Sequence, residues 1–243
     1  MKRMIAFACL VVLLLSGCAR DNSPQTIPPD IVAATGTTAA TTPHTAPATM
    51  EATQPSLPVP DNDMLVSVAL YAPQIRVDLA YATEGNFTGK VIYEFYEAYL
   101  RYGTLKKLIE ADEALRAQGV GILIWDGFRP VSAQAKLWET CPDPTYVSHP
   151  VTGRRAHCRG NAVDVTLYDL QTGELLDMPT GFDDFSKRAD RNYSDCTDVQ
   201  KENALVLERA MKSSGFKPYS AEWWHFTDSD DYPVDENFDP AKK

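Results

Sequence analysis

The chain has 243 residues, 44% of them hydrophobic, and a formal net charge of -10. The hydrophobic share is ordinary for a globular protein. The acidic balance argues against nucleic acid or an anionic membrane surface as a partner.

Lys2 and Arg3 precede an uninterrupted apolar run, Met4 to Leu15. The run falls short of the about 20 residues that a transmembrane helix needs. Residues 1–17 therefore read as a targeting leader that stands outside the fold. Setting it aside removes two cations and takes the net charge from -10 to -12. Leu15-Ser16-Gly17-Cys18 resembles the lipobox of bacterial lipoproteins. The resemblance implies cleavage before Cys18, lipidation of Cys18, and an extracytoplasmic protein held to the membrane by that lipid. Residues 18–62 are dominated by Ala, Thr and Pro and have almost no aromatic side chain. Such a segment cannot bury enough apolar surface to offset its ordering entropy, so it reads as an extended tether. His44 is a residue of that tether rather than a ligand. One domain remains, 63–243, long enough for a substantial core.

Within the domain, Gln74 to Ala80 alternates apolar and polar residues, a strand signature. Tyr81 to Lys90 is rich in turn residues. Thr104 is placed to cap a helix that runs to Gln118, with Leu105, Leu108, Ile109 and Leu115 on one face. Val120 to Trp125 reads as a buried strand, Asp126 to Pro130 as a loop, and Pro130 opens a helix to Trp138. Cys141 to Arg155 reads as loop. Ala162 to Tyr168 and Glu174 to Met178 read as two strands about a turn at Gln171-Thr172-Gly173. Pro179 to Asp195 is irregular. Thr197 and Gln200 have capping-box spacing and start a helix that ends at Gly215. Glu222 to Thr227 is the last strand. Short strands and separate helices predict an α+β fold, a small antiparallel sheet flanked by helices.

His157, Asp164 and His225 supply two imidazoles and one carboxylate. That is a zinc ligand set with a position left open for water. Gly160 and Asn161 allow a bend between the first two. Asp164 sits on a strand whose neighbours Val163 and Val165 face the other way. The spacing differs from His-Glu-x-x-His, where both histidines share one helix face. By spacing alone, an isolated histidine, a strand acid and a histidine beside two tryptophans is the better description of the same residues. Glu222, three residues before His225, is where a general base would be useful. Cys141, Cys158 and Cys196 permit one disulfide, with the pairing open. Cys158 points away from its neighbouring ligand if the backbone there is extended.

The pattern His157-x-x-Gly160-x-Ala162-x-Asp164, followed by Glu222-Trp223-Trp224-His225, resembles the VanX-type D-alanyl-D-alanine dipeptidases of the zinc D,D-peptidase group. Asp78 to Thr83, Asn86 to Lys90, Trp125 to Pro130 and Val165 to Tyr168 extend the likeness over most of the domain. It implies one zinc held by His157, Asp164 and His225, on the antiparallel sheet. It implies Glu222 as general base and Arg129 as the group that stabilises the oxyanion. Tyr81 and Asp183 match positions lining the substrate site, with Asp183 facing the substrate ammonium. The family motif usually begins with a serine at the position of Arg155, so Arg155 is a candidate substrate contact that departs from the pattern. The implied substrate is free D-Ala-D-Ala. A D,D- or L,D-carboxypeptidase acting on longer peptidoglycan stems, or a non-catalytic zinc-bearing wall-binding module, are the alternatives. Oligomeric state is not legible.

Overall fold

A computed structural model describes residues 57–243. The leader, Cys18, His44 and most of the expected tether lie outside the described residues. None of the described helices is long and apolar enough to cross a membrane.

Among the described residues two sheets and five α-helices make the fold, in agreement with the α+β expectation. A two-stranded antiparallel sheet joins β1 (Leu65–Ser67) to β3 (Tyr99–Arg101), with α1 (Val68–Tyr71) between them in the chain. The main sheet holds β2 (Arg76–Val77), β4 (Val120–Asp126), β5 (Ala162–Asp169), β6 (Phe216–Tyr219) and β7 (Glu222–Asp228), in the order β2-β4-β5-β7-β6. The β2-β4 pair is parallel and the other three pairs are antiparallel. The longer helices are α2 (Tyr102–Arg116), α3 (Val131–Thr140) and α5 (Asp198–Ser213), and α4 is the single turn Ala156–Arg159.

Burial follows the periodicity. Leu108 and Leu115 of α2 and Leu207 and Met211 of α5 are fully buried, as are Ile122 and Ile124 of β4 and Val163, Val165 and Leu167 of β5. These residues belong to one core cluster. Each buried leucine or isoleucine of this kind contributes about 1.5–3 kcal/mol. The odd-numbered residues of β5 take the core face, which turns Asp164 to the other side.

The capping box of α5 is formed: Thr197 accepts from the Gln200 amide and the Gln200 side chain accepts from the Thr197 amide. Other expectations are corrected. Helix α2 starts at Tyr102, and Thr104 lies inside it. Its hydroxyl donates to Asp228 Oδ2 at 2.7 Å, a tertiary partner that outcompetes capping. The expected strand from Gln74 to Ala80 shrinks to two residues. After Asp78 N donates to Ile124 O, the chain tightens into the 3-10 turn Ala80–Ala82. The expected strand from Glu174 to Met178 keeps one bridge, Leu175 to Tyr168. Asp177 instead accepts from Gln200 and Asn203 of α5. Cys141, Cys158 and Cys196 are free thiols, so the permitted disulfide is not formed. Cys158 lies in helical rather than extended backbone. Burial pushes its thiol up to about 11.

Candidate metal centre and active site

The register of the main sheet assembles the centre. Asp164 of β5 is the direct cross-strand partner of His225 of β7. Directly opposed residues project from the same face, so the pairing brings a carboxylate and an imidazole together. Between Ile124 and Asp126 the β4-β5 register shifts, which makes Asp126 the partner of Asp164 on the other side. Three chemically active residues, Asp126, Asp164 and His225, thus form a row across three strands. His157 comes from α4, not from a strand. Left-handed residues flank that turn, Arg155 (φ 50) and Gly160 (φ 73). The left-handed backbone at Gly160 favours glycine, and a Cβ there, 2.5 Å from Leu65 Cδ2, would also push that side chain aside.

His157 Nε2 lies 3.2 Å from His225 Nδ1 and 3.3 Å from Asp164 Oδ2. His225 Nδ1 lies 2.9 Å from Asp164 Oδ1. Each ring has an oxygen at its outer nitrogen: His157 Nδ1 is 2.8 Å from Gly127 O, and His225 Nε2 is 3.2 Å from Thr227 Oγ1. If the outer nitrogens donate these bonds, both inner nitrogens present lone pairs to one another and to a carboxylate. Donor bonds of about 2.0–2.1 Å in tetrahedral geometry give edges of about 3.3 Å. The triangle fits a divalent cation in its distances, and outer partners of this kind are what orient metal-binding histidines. Gly127, Thr227 and Asp126 are not singled out by the sequence reading; the chain signal for two of them is Asp126-Gly127, read there as the start of a loop that lies within the motif Trp125 to Pro130.

The charges follow from this geometry. Burial pushes Asp164 up, but His157 and His225 outweigh it and hold the carboxyl well below its usual range. Burial likewise lowers His157, and Asp164 and Asp126 overcome it, so the net direction is up. His225 is lowered, by burial first, against the opposing bond to Asp164.

Arg129 is buried. Its Nε and Nη2 donate to Asp126 Oδ2 at 3.0 and 2.5 Å, and its Nη1 donates to Gln134 Oε1 at 3.0 Å. The guanidinium also sits 5.1 Å from the centre of the Tyr81 ring. Asp126 is held in turn by Tyr93, whose hydroxyl donates to Oδ1 at 2.7 Å. This clamp fixes the Arg129 cation beside the candidate ligands Asp164 and His225.

Glu222 Oε2 is 3.9 Å from His225 Nδ1. Residues three apart on a regular strand face opposite sides. Here the β6-β7 register jumps from the pair Pro218–Phe226 to Tyr219–Glu222, and the irregularity turns Glu222 toward His225. Burial, then Asp164, then Asp183 raise the Glu222 carboxyl well above its ordinary value. Asp183 accepts from the Tyr81 hydroxyl at 2.9 Å and is itself left-handed, φ 55. Burial, then the Asp164 charge, push Asp183 up to about 7. The neighbouring Asp184 is occupied in a turn, accepting from Ser186 N.

One cavity of about 460 Å³ is lined by Tyr81, Arg129, Arg155, His157, Asp164, Asp183, Glu222 and His225 together. All the domain residues named as candidates from sequence therefore meet at one place. His149 also lines it, but its Nδ1 accepts from Val151 N and Thr152 N, the bonds of a loop residue. Trp223 and Trp224 are buried and pack edge to face, as expected of residues that position their neighbours.

A family model for peptidase M15, described as D-Ala-D-Ala dipeptidase, matches residues 61–243. The chain is 37% identical over 166 residues to a D-alanyl-D-alanine dipeptidase of Escherichia coli K12, covering 68% of this chain and 85% of the relative. It is 35% identical over 185 residues to one of Streptomyces coelicolor, covering 68% and 91%. It is 34% identical over 179 residues to one of Enterococcus faecium, covering 65% and 89%. With this match over the whole described domain, the chain belongs to the D-Ala-D-Ala dipeptidase family of M15 metallopeptidases.

Proposed function

We propose that this chain is a zinc-dependent dipeptidase that hydrolyses free D-Ala-D-Ala. The observation that carries the proposal is the triangle of His157, Asp164 and His225 with Glu222 at its edge. Two imidazoles and a carboxylate suit zinc and leave a position free. When bound, zinc supplies Lewis acidity and brings the pKa of water toward about 7.

The chain's own residues supply the rest. Glu222 takes a proton from the attacking water and delivers it to the leaving amine. Burial, with Asp164 and Asp183 beside it, holds its carboxyl above the ordinary value in the metal-free site. Arg129, held rigid by Asp126 and Gln134, presents its remaining N–H groups to the tetrahedral oxyanion, with no reorganisation at the moment of reaction. Asp183, oriented by Tyr81, receives the substrate ammonium. A carboxylate walled in at that end favours a free amine over an extended stem. A wall-binding module would need neither a buried base nor a clamped arginine.

The test is a parallel assay of D-Ala-D-Ala, N-acetyl-D-Ala-D-Ala and a pentapeptide ending in D-Ala-D-Ala, with zinc and with chelator. Zinc-dependent cleavage of the free dipeptide is expected. Preference for the pentapeptide would move the chain to the carboxypeptidase reading.

We also propose that Cys18 is lipidated and holds the enzyme outside the cytoplasm, on the support of the lipobox-like sequence Leu15 to Cys18.

A further inference from the structure

The cavity wall carries cations that this hydrolysis does not use. Arg155 is left-handed at φ 50, and its side chain is 18% exposed. Its Nη1 donates to Glu236 Oε1 at 3.2 Å, but the Glu236 side chain is 56% exposed. A pair with so open a partner is weak and easily exchanged. The Nε of Arg155 is enclosed and has no acceptor. An enclosed donor without a partner is unfavourable until something supplies one. Arg154 and Lys217 line the same cavity and are exposed. Among the described residues neither has an ion-pair partner. Three cations besides Arg129 therefore meet at one cavity in a chain whose net charge is -10.

The cavity's acids lie apart from them in character. Asp164 and Glu222 are buried, and Asp183 is tied to Tyr81. If the amine end of a dipeptide takes Asp183, the leaving half, which bears the carboxylate, is left for the cationic wall. A cavity of about 460 Å³ also exceeds what two alanines need, since sites of about 300–1,000 Å³ take drug-sized ligands. We propose that Arg155, Arg154 and Lys217 form a cationic subsite that holds the leaving residue of the substrate and favours one with a second, side-chain carboxylate. Arg155 takes the main-chain carboxylate, whose arrival replaces Glu236 and satisfies the guanidinium. Arg154 and Lys217 take the side-chain carboxylate at the mouth. The proposal rests on the dipeptidase reading above and deepens it to a substrate class, D,D-dipeptides with an acidic C-terminal residue.

The test compares D-Ala-D-Glu with its uncharged isostere D-Ala-D-Gln, with D-Ala-D-Ala as reference, using the zinc-loaded full domain. The expected kcat/KM ratio of the acid to the amide is about 5- to 10-fold at low ionic strength, shrinking as salt screens the exposed cations. Arg154→Gln combined with Lys217→Gln should bring the ratio toward 1. Arg155→Gln should raise KM for all three dipeptides. A wild-type ratio of 1 or less, with D-Ala-D-Ala cleaved, overturns the subsite and leaves the dipeptidase reading standing. A ratio that survives all these substitutions overturns it too. Failure to cleave any of the three overturns the dipeptidase reading. In that case calorimetric binding of the same acid and amide pair decides the subsite by itself: tighter binding of the acid supports it and equal binding overturns it.

Discussion

Nε2 of His157 and Nδ1 of His225 stand 3.2 Å apart, each ring with an oxygen at its opposite nitrogen. With hydrogens on those outer nitrogens, two lone pairs confront each other beside the Asp164 carboxylate. A cation between them turns that repulsion into coordination. About one zinc per domain should therefore be found by metal analysis. His157→Ala and His225→Ala should each lose it, and stoichiometric zinc in either variant would refute the assignment. Both imidazoles must be neutral to bind, so acid competes with the metal, and zinc should dissociate as pH falls below about 6.

On the proposed mechanism, Glu222→Gln removes the base without removing a ligand. Zinc content and fold should be retained, and kcat should fall by about 10²- to 10⁴-fold. Near-normal turnover in this variant would place the base elsewhere.

On the proposed mechanism Arg129 has a second job beside its ion pair with Asp126, and a simple deletion mixes the two. Arg129→Ala should lower kcat more than it raises KM, because the oxyanion exists only beyond the ground state. It also strands the fully buried Asp126, and breaking a buried pair costs about 3–5 kcal/mol. Arg129→Met combined with Asp126→Asn should recover much of that stability in a denaturation assay while leaving the rate low. Recovery of the rate along with stability would show that Arg129 acts through the fold alone.

Asp183 titrates near 7 in the fold against about 3.9 in an unfolded chain. Between those values the folded protein holds the extra proton, so this group's contribution to stability falls as pH rises through the window. Asp183→Asn suits the left-handed backbone and keeps an acceptor for Tyr81. In chelator, its melting temperature relative to the parent should be unchanged near pH 4 and increasingly higher toward pH 8. A difference independent of pH would contradict the raised pKa. In the zinc enzyme, Asp183→Ala should shrink the preference for free over acetylated dipeptide, which is expected to be about 5- to 150-fold.

Cys18→Ser should leave an unlipidated, uncleaved precursor, read by mass and by detergent partition. Parent protein found in the cytosol with residues 1–17 retained would contradict the tethered reading.

Chain order already contained the chemistry of the site. The spacings of His157, Asp164, Glu222 and His225 are uninformative by themselves, and the motifs around them carry the reading through the family resemblance; the periodicities of α2, α5, β4 and β5 are strong because one face of each is buried. The capping box at Thr197 was legible because its two bonds close within four residues. Strands β1, β3 and β6 were not legible: each spans four residues or fewer, and pairing rather than pattern makes them strands. Thr104 looked like a cap because sequence cannot show that Asp228, 124 residues away, offers its hydroxyl a better partner.

Sequence by itself determined which groups are present and that Asp164 must turn from the core, since Val163 and Val165 occupy it. Tertiary structure alone decided how those groups face each other. The pairing of Asp164 with His225 sets two candidate ligands on one face, the β4 irregularity brings Asp126 beside them to clamp Arg129, and the β6-β7 irregularity turns Glu222 inward. A strand's side chains alternate with a period of two, so each one-residue shift of register moves a residue to the other face. That choice is made by partners far away in the chain, where local sequence carries no record of it.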